Sequence, residues 1–223
     1  MTLADRVTRF NNRLAAAADS AGRVPGDITV VAVSKTFPAA AVLEAADMGV
    51  SDFGENRAQE LKRKLTQIDR PLRWHFVGRL QTNKVRDVVS KVVLVHSVES
   101  FRLAEAIGRR ATGAGAPQEV LIEVNTGGKG GIDPAAAVDL AEDADRVDGV
   151  SVRGLMTIPA FPHDPEDSRP AYKELADLGA ALQERLPGAD QLSMGMTRDL
   201  EVAIEEGATI VRVGEAIFGP RDR

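Results

Sequence analysis

The chain has 223 residues, a formal net charge of −5 and no cysteine, which excludes a disulfide framework, thiolate catalysis, iron–sulfur clusters and cysteine-held zinc. The acidic balance argues against a general nucleic-acid binder, whose footprint is basic. Hydrophobic residues at 43% suffice for a sizeable core, and no apolar run approaches the ~18–20 residues of a membrane span.

The N-terminus, Met1-Thr2-Leu3-Ala4-Asp5-Arg6, lacks the apolar stretch of a signal peptide, so the expected compartment is the cytoplasm. Thr2–Ala21 has the period of an amphipathic helix. Short apolar runs then alternate with helical stretches. Ile28–Ser34 is the first run. Pro38 opens a helix ending at Met48, with Gly49 past its end. Val50–Gly54 precedes a helix over 55–68, whose basic run Lys62-Arg63-Lys64 reads as a solvated face. Arg73–Gly78, Val92–His96 and Val120–Asn125 follow. Asp133-Pro134 marks the N-cap and first turn of a helix over Ala135–Val147. Val150–Met156 leads to a helix over Ser168–Leu186, Gln191–Gly195 to one over Arg198–Glu206, and Thr209–Gly214 closes the series.

Several runs are rich in β-branched residues and apolar at successive positions, as parallel strands buried on both faces are. Eight of them, each followed by a helix or a short helical tail, give the count of a (β/α)₈ barrel. The length is that of a minimal one, with an extra N-terminal helix and a single domain over 1–223. An open doubly wound sheet is the alternative. Its G-x-G-x-x-G fingerprint is absent after the first run, where Ser34-Lys35-Thr36-Phe37-Pro38 stands, and there is no Walker A sequence.

In a barrel the chemistry sits at the carboxyl ends of strands. Of the 28 basic residues 21 are Arg and 7 are Lys, so a lysine at a buried-looking position needs its own explanation. Lys35, after strand one, either snorkels or pairs with a carboxylate, or is a desolvated Schiff-base amine. After strand two, Glu55 is a first-turn acid or a site group, and Asn56 a cap or a hydrogen-bonding group facing a ligand. Alternation along strand three sets Trp74 and Phe76 on one face and His75 on the other, toward the barrel interior. His96 and His163 are not at metal-ligand spacing from it, so no histidine metal site is expected. Ser193, Gly195 and Thr197 at strand seven suit either an anion or ordinary helix capping by Thr197. At strand eight Arg212 points inward, and Gly214 lets the backbone approach a phosphate closely. A mouth lysine facing a phosphate cup asks for a ligand with both a carbonyl and a phosphate. Pyridoxal 5′-phosphate fits, and so does the phosphorylated sugar of a Schiff-base aldolase.

Six motifs then carry a resemblance: Ala32-Val33-Ser34-Lys35-Thr36, Phe53-Gly54-Glu55-Asn56, the run from Trp74 to Lys84, Arg153-Gly154-Leu155-Met156, Leu192-Ser193-Met194-Gly195-Met196-Thr197, and the run from Val211 to Gly219. In this order, from strand one to the C-terminus, the chain resembles the YggS/PROSC family of pyridoxal phosphate homeostasis proteins. The resemblance implies a barrel of the fold-type-III kind, like the N-terminal domain of alanine racemase. It implies pyridoxal 5′-phosphate held as an aldimine on Lys35, with the phosphate near Ser193, Thr197 and the Gly214 and Glu215 amides. It implies Arg212 near the pyridine nitrogen, and Asn56 and His75 among the cofactor's neighbours.

The function implied is vitamin B6 homeostasis as a buffer or carrier without established turnover, by a monomer whose partners include apo-enzymes that use the cofactor. Two positions depart from the family pattern. Glu215 stands where the family has Thr or Ser, which leaves the carboxylate either turned to solvent or paired with Arg198 or Arg221. A glycine-rich segment, Thr126-Gly127-Gly128-Lys129-Gly130-Gly131, replaces a longer Ser/Lys-rich loop.

Arg212 beside the pyridine nitrogen disfavours ring protonation and weakens the ring as an electron sink. The main enzyme alternative is an amino-acid racemase, which needs an acid/base on each face of the α-carbon. Lys35 serves one. The only tyrosine, Tyr172, falls in a helical stretch after the segment Pro159–Pro170 and is not expected to serve as the other. A regulatory partner protein is the non-enzymatic alternative.

Overall fold

The computed structural model describes residues 1–128 and 130–220; Lys129 and Arg221, both named above, lie outside the described residues. Helix α1 (Leu3–Ser20) opens with a capping box, Thr2 with Asp5, and buries a stripe of Leu3, Val7, Phe10, Leu14, Ala17 and Ala18. The repeating units follow: β1 (Thr29–Val33) and α2 (Ala39–Asp47), β2 (Asp52–Glu55) and α3 (Ala58–Gln67), β3 (Arg73–Phe76) and the one-turn α4 (Val85–Val88), β4 (Leu94–Val98) and α5 (Phe101–Thr112). The second half has β5 (Gln118–Glu123) and α6 (Pro134–Asp145), β6 (Val150–Met156) and α7 (Arg169–Arg185), β7 (Gln191–Ser193) and α8 (Leu200–Glu205), β8 (Ile210–Val213) and the one-turn α9 (Glu215–Phe218). Each strand pairs in parallel with the next, and β8 pairs with β1, which closes the barrel. The barrel chosen over the open sheet is the observed architecture.

Alternation along the strands divides the core in two. Ala32, Phe53, Trp74, Phe76, Val95, Val120, Ile122, Leu155, Leu192, Val211 and Val213 face outward into the layer between strands and helices. Val31, Val33, Val77, Leu94, Leu121, Met156 and Ile210 form a smaller apolar cluster inside the barrel. Beside that cluster the interior also holds buried polar groups: Asp52, His75, His96, Ser193 and Arg212.

With only four residues, α9 leaves much of the β8–β1 side uncovered. Helix α1 covers it, packing against α8, α9 and α2. Arg6 Nε donates to Ile217 O at 2.9 Å, and Arg13 Nη1 to Thr197 O at 2.6 Å. The extra helix thus holds the two segments that follow β7 and β8.

Several sequence expectations shift. Helix α3 starts at Ala58, because Glu55 completes β2 and is fully buried. Strand β4 lies two residues later than its apolar run suggests, and the α5 helix, N-capped by Ser100, adds to the expected set. The expected Arg198–Glu206 helix shortens to Leu200–Glu205, so Thr197 lies outside its cap, which falls at Asp199. One reading is overturned. Lys64 is not on a solvated face: it has no exposed surface, whereas Lys62 and Arg63 are exposed. It lies on the inner face of α3 with Leu61, three residues earlier, and buried Ile68 follows just past the helix end; a carboxylate waits for it there.

Candidate functional site

The carboxyl ends of the strands surround a cavity of about 400 Å³. Of the eight residues expected at a site, Lys35, Asn56, Thr197, Arg212, Gly214 and Glu215 line it. His75 and Ser193 do not; they lie behind Arg212, inside the barrel, and reach the cavity only through it.

Lys35 is half-buried and follows β1 directly. The residues on either side of it are fixed. Lys64 Nζ donates to Ser34 O at 2.7 Å. Thr36 adopts a left-handed conformation, φ 73°, rare for a residue with a branched side chain, and its N–H donates to Glu60 Oε1 at 2.7 Å. Lys64 also donates to Glu55 Oε1 and, at 3.2 Å, to Glu60 Oε1. Ser34 Oγ gives its proton to Glu55 Oε1 at 2.6 Å. Burial pushes the Glu55 carboxyl upward, opposed by its bonds from Lys64 and Ser34. Asn56 reaches the cavity because Gly78 lets two segments touch: a Cβ on Gly78 would stand 2.2 Å from Asn56 O.

Arg212 is held from the opposite side. Its Nη2 donates to Thr157 O at 2.8 Å and its Nη1 to Ser193 Oγ at 2.6 Å. From Ser193 a chain of bonds runs through the barrel: Ser193 Oγ to His96 Nδ1 at 2.8 Å, His96 Nε2 to His75 Nδ1 at 2.9 Å, His75 Nε2 to Asp52 Oδ1 at 2.9 Å. The two ends fix its direction. A guanidinium only donates and a carboxylate only accepts. Ser193 therefore accepts from Arg212 and donates to His96, which donates to His75, which donates to Asp52. Both imidazoles carry their proton on Nε2. Burial, with His75 and Arg212 beside it, pulls His96 well below the usual imidazole range, in keeping with a neutral ring. At the far end burial alone would raise the Asp52 carboxyl, but hydrogen bonds from His75, Ser51 and Arg73 hold it down at about 2.

Spacing excludes His96 as a metal partner of His75, and by itself gives no sign that the two rings are hydrogen-bonded. The available signal is strand adjacency. Neighbouring strands place inward side chains side by side, and β3 pairs with β4. Among the described residues no cluster of His, Asp or Glu has the makings of a metal site.

The remaining wall comes from the segments after β7 and β8. Asp199 is buried and accepts from Met196 N at 2.8 Å, Ser168 Oγ at 2.9 Å and Tyr172 Oη at 2.7 Å, which ties the β7 segment to α7. Tyr172 is itself fully buried and outside the cavity lining; burial, then Asp199, pushes its hydroxyl up from the usual phenol range. Gly214 has no room for a side chain without crowding Val33 O, 3.1 Å from a Cβ placed there. The N–H groups of Glu215 and Ala216 open a turn and precede any helical acceptor. Glu215 is exposed at the rim. Arg198 does not neutralise it by stacking beside it; its guanidinium lies over the Phe161 ring, 4.6 Å from the centroid.

Fold and site together define a class: a closed parallel eight-stranded barrel whose carboxyl end opens on a cavity lined by a lysine, a buried arginine and the segments that follow β7 and β8. The family model described as alanine racemase, N-terminal domain, matches residues 9–222. A pyridoxal phosphate homeostasis protein of Aquifex aeolicus is 44% identical over 99% of each chain. One of Escherichia coli K12 is 37% identical over 99% of this chain and 97% of the relative. Among solved structures, PipY of Synechococcus elongatus PCC7942 with PLP bound superposes with a TM-score of 0.85 at 33% identity, covering 98% of this chain and all of that one. A protein from Bifidobacterium adolescentis gives a TM-score of 0.92 at 38% identity over 97% and 94% of the two chains. The chain belongs to the pyridoxal phosphate homeostasis protein family, built on the alanine racemase N-terminal domain.

Proposed function

We propose that this protein holds pyridoxal 5′-phosphate covalently through Lys35 and serves vitamin B6 homeostasis by buffering or delivering it. One observation carries the reading: Lys35, the buried Arg212, Thr197 and the Gly214-Glu215 segment line a single cavity of about 400 Å³. The names of the relatives, and the PLP bound by PipY, support it.

The residues fit the group by their chemistry. The Gly214 backbone, the Glu215 and Ala216 amides and the Thr197 hydroxyl offer donors to a phosphate. In this reading Arg212, a cation on the cavity wall, faces the ring nitrogen and keeps it unprotonated. Asn56 offers a neutral hydrogen-bonding group, and Val33, Val77 and Ile158 an apolar wall for a ring. Ser193 and His75 act on the cofactor through Arg212. Once bound, the cofactor supplies an electrophilic carbon to amines.

Holding without turnover is the favoured mode. A ring kept unprotonated stabilises a carbanion poorly, and Tyr172 donates its proton to buried Asp199, away from the cavity. The test is an absorption spectrum followed by borohydride and mass spectrometry. The protein is expected to purify yellow, and the reduced adduct to map to Lys35. An adduct on Lys84 or Lys64, or a colourless protein that takes up no cofactor, would sink the reading.

A further inference from the structure

Four carboxylates are buried among the described residues, and three of them accept hydrogen bonds from the protein, although Glu55 does so through Oε1 alone and leaves Oε2 buried without a partner. Asp52 accepts from Ser51, Arg73 and His75, Glu55 from Ser34 and Lys64, and Asp199 from Met196, Ser168 and Tyr172. The fourth is Glu123, at the end of β5 and 7% exposed. Among the described residues no donor lies within hydrogen-bond distance of its carboxylate. Its oxygens open onto the cavity instead of being sealed in the protein, and a carboxylate that no protein donor holds, on the wall of a cavity, is placed to take a partner from outside.

Glu123 lines the same cavity as Lys35. β5 and β1 lie on opposite sides of an eight-stranded barrel, so the two side chains face the space from opposite walls. The chain keeps room around the carboxylate: Gly130 has φ 103°, and a Cβ on it would stand 3.1 Å from Glu123 Oε1. Val77 and Ile158 supply apolar surface to the same cavity.

We propose that Glu123 forms a subsite for a primary alkylammonium, and that it takes the proton such an amine must lose before it can relieve Lys35 of the cofactor. This deepens the proposed function and rests on it. The ligand brings the donors that the carboxylate lacks, a compensating charge, and methylenes for the apolar wall. The bound ammonium gives one proton to Glu123, and its freed lone pair forms a bond to the carbon attached to Lys35. A second proton passes from the incoming nitrogen to the Lys35 nitrogen. The carbon–Lys35 bond breaks with its electrons going to that nitrogen, and Lys35 takes from solvent the equivalent of the proton that Glu123 later releases.

Electrostatics fit the task. Burial and the neighbouring Glu99 raise the Glu123 carboxyl to about 7, against the pull of Arg212 and Arg79. The charged groups that act on it are Glu99 after β4, bonded at 2.8 Å to Arg79 after β3, and Arg212 on β8, and Lys35 faces it from the opposite wall of the cavity. A base so poised accepts a proton near neutral pH and gives it up readily.

The test compares wild type with Glu123→Gln in two measurements. In the first, n-butylammonium is titrated into both apo proteins at pH 8 and followed by NMR, with n-butanol as the uncharged comparator. Wild type is expected to prefer the ammonium, and Glu123→Gln to lose at least tenfold of that affinity. Equal affinities would overturn the proposal. In the second, n-butylamine strips the cofactor from fully loaded protein between pH 6 and 9. The wild-type rate should bend near pH 7 on top of the amine's own titration, and the variant should lack the bend and be at least tenfold slower at pH 8. Identical profiles would overturn the proton-accepting role. Nα-acetyl-lysine in place of n-butylamine separates the sources. Equal preference marks a subsite open to a protein's lysine side chain, and preference for n-butylamine alone marks a small free amine. Failure of wild type to load the cofactor would overturn the function proposed above, while the apo titration would still decide the subsite.

Discussion

Two buried polar clusters stand on either side of the cavity, and they are built on different principles. Beneath Lys35 lies a charge cluster, in which Lys64 has no exposed surface and is held by Glu55, Glu60 and the Ser34 backbone. Beneath Arg212 lies a relay of hydrogen bonds through Ser193, His96 and His75 to Asp52, with a charge only at each end. The first fixes a backbone position by Coulomb attraction and tolerates no missing partner. The second fixes an orientation, because each proton in it has one place to go. A lysine that must reach a ligand needs its strand end placed. An arginine that, in the proposed function, faces a ring nitrogen needs its plane set.

The difference is broken most forcefully at Lys64. Lys64→Met leaves Glu55 charged and buried with Ser34 as its remaining donor, and removal of one partner of a buried pair costs about 3–5 kcal/mol. Urea unfolding at pH 7 should show that loss. The double variant Lys64→Met, Glu55→Leu should recover most of it, since an apolar replacement of the whole pair is often neutral. A double variant no better than the single one would mean that the cluster is held by packing rather than by charge.

On the arginine side the comparison sharpens between two hydroxyls that the sequence treats alike. Thr197 lines the cavity, and Ser193 sits behind Arg212. Thr197→Ala should weaken cofactor binding by about 1.5–3 kcal/mol, the worth of a hydrogen bond to a charged group, with unfolding unchanged. Ser193→Ala should instead lower stability by about 1–3 kcal/mol, because it strands His96 Nδ1 and one guanidinium N–H inside the barrel. Cofactor titrations and denaturation curves on the same two proteins check the split, and matching losses of affinity without loss of stability would place both hydroxyls on the ligand.

Most of the fold was legible because barrel strands are apolar in short runs and their ends carry the polar residues. Lys35, Thr197, Arg212 and Gly214 followed from that rule. Lys64 did not, since a Lys-Arg-Lys run reads as surface until the run is placed on the helix. Buried Leu61 stands three residues before Lys64 and Ile68 four after, and that spacing was the available signal. His96 was hidden for another reason: metal spacing is a local pattern, whereas the contact with His75 comes from neighbouring strands 21 residues apart. Glu123 escapes a reading in which strand five runs to Asn125, because that puts its polar end two residues too far along.

The clusters also respond to acid with opposite signs. The Asp52 carboxyl sits at about 2, below its ordinary 3.8, so it stabilises the fold above pH ~4 and that contribution drains away as the pH falls toward 2. The shift corresponds to about 2 kcal/mol. Glu55 is raised, so the folded state takes up its proton before the unfolded chain does, and falling pH through that range adds stability where at Asp52 it removes it. Asp52→Asn keeps an acceptor for His75 and removes only the charge. Its deficit against wild type should approach about 2 kcal/mol at pH 7 and shrink as the pH falls below 4. A deficit independent of pH would show that the hydrogen-bond geometry, not the charge, is what Asp52 contributes.

The smallest effect is expected at Glu215, the position that departs from the family pattern. Its side chain is exposed at the cavity rim, while its N–H opens the α9 turn and faces the proposed phosphate position whatever the side chain. An exposed carboxylate near a phosphate dianion repels it weakly and through solvent, and salt screens that repulsion. Glu215→Thr removes the charge and adds a hydroxyl donor. Cofactor affinity should therefore rise by less than about fivefold at low ionic strength, the scale of an exposed charge interaction. Most of that gain should vanish in about 1 M salt, where the screening length falls to about 3 Å. A gain that survives salt would be the hydroxyl at work. Weaker binding at both ionic strengths would mean that the carboxylate itself orders the rim, and that on this side of the cavity a charge placed at the surface does what the buried charges do beneath Lys35.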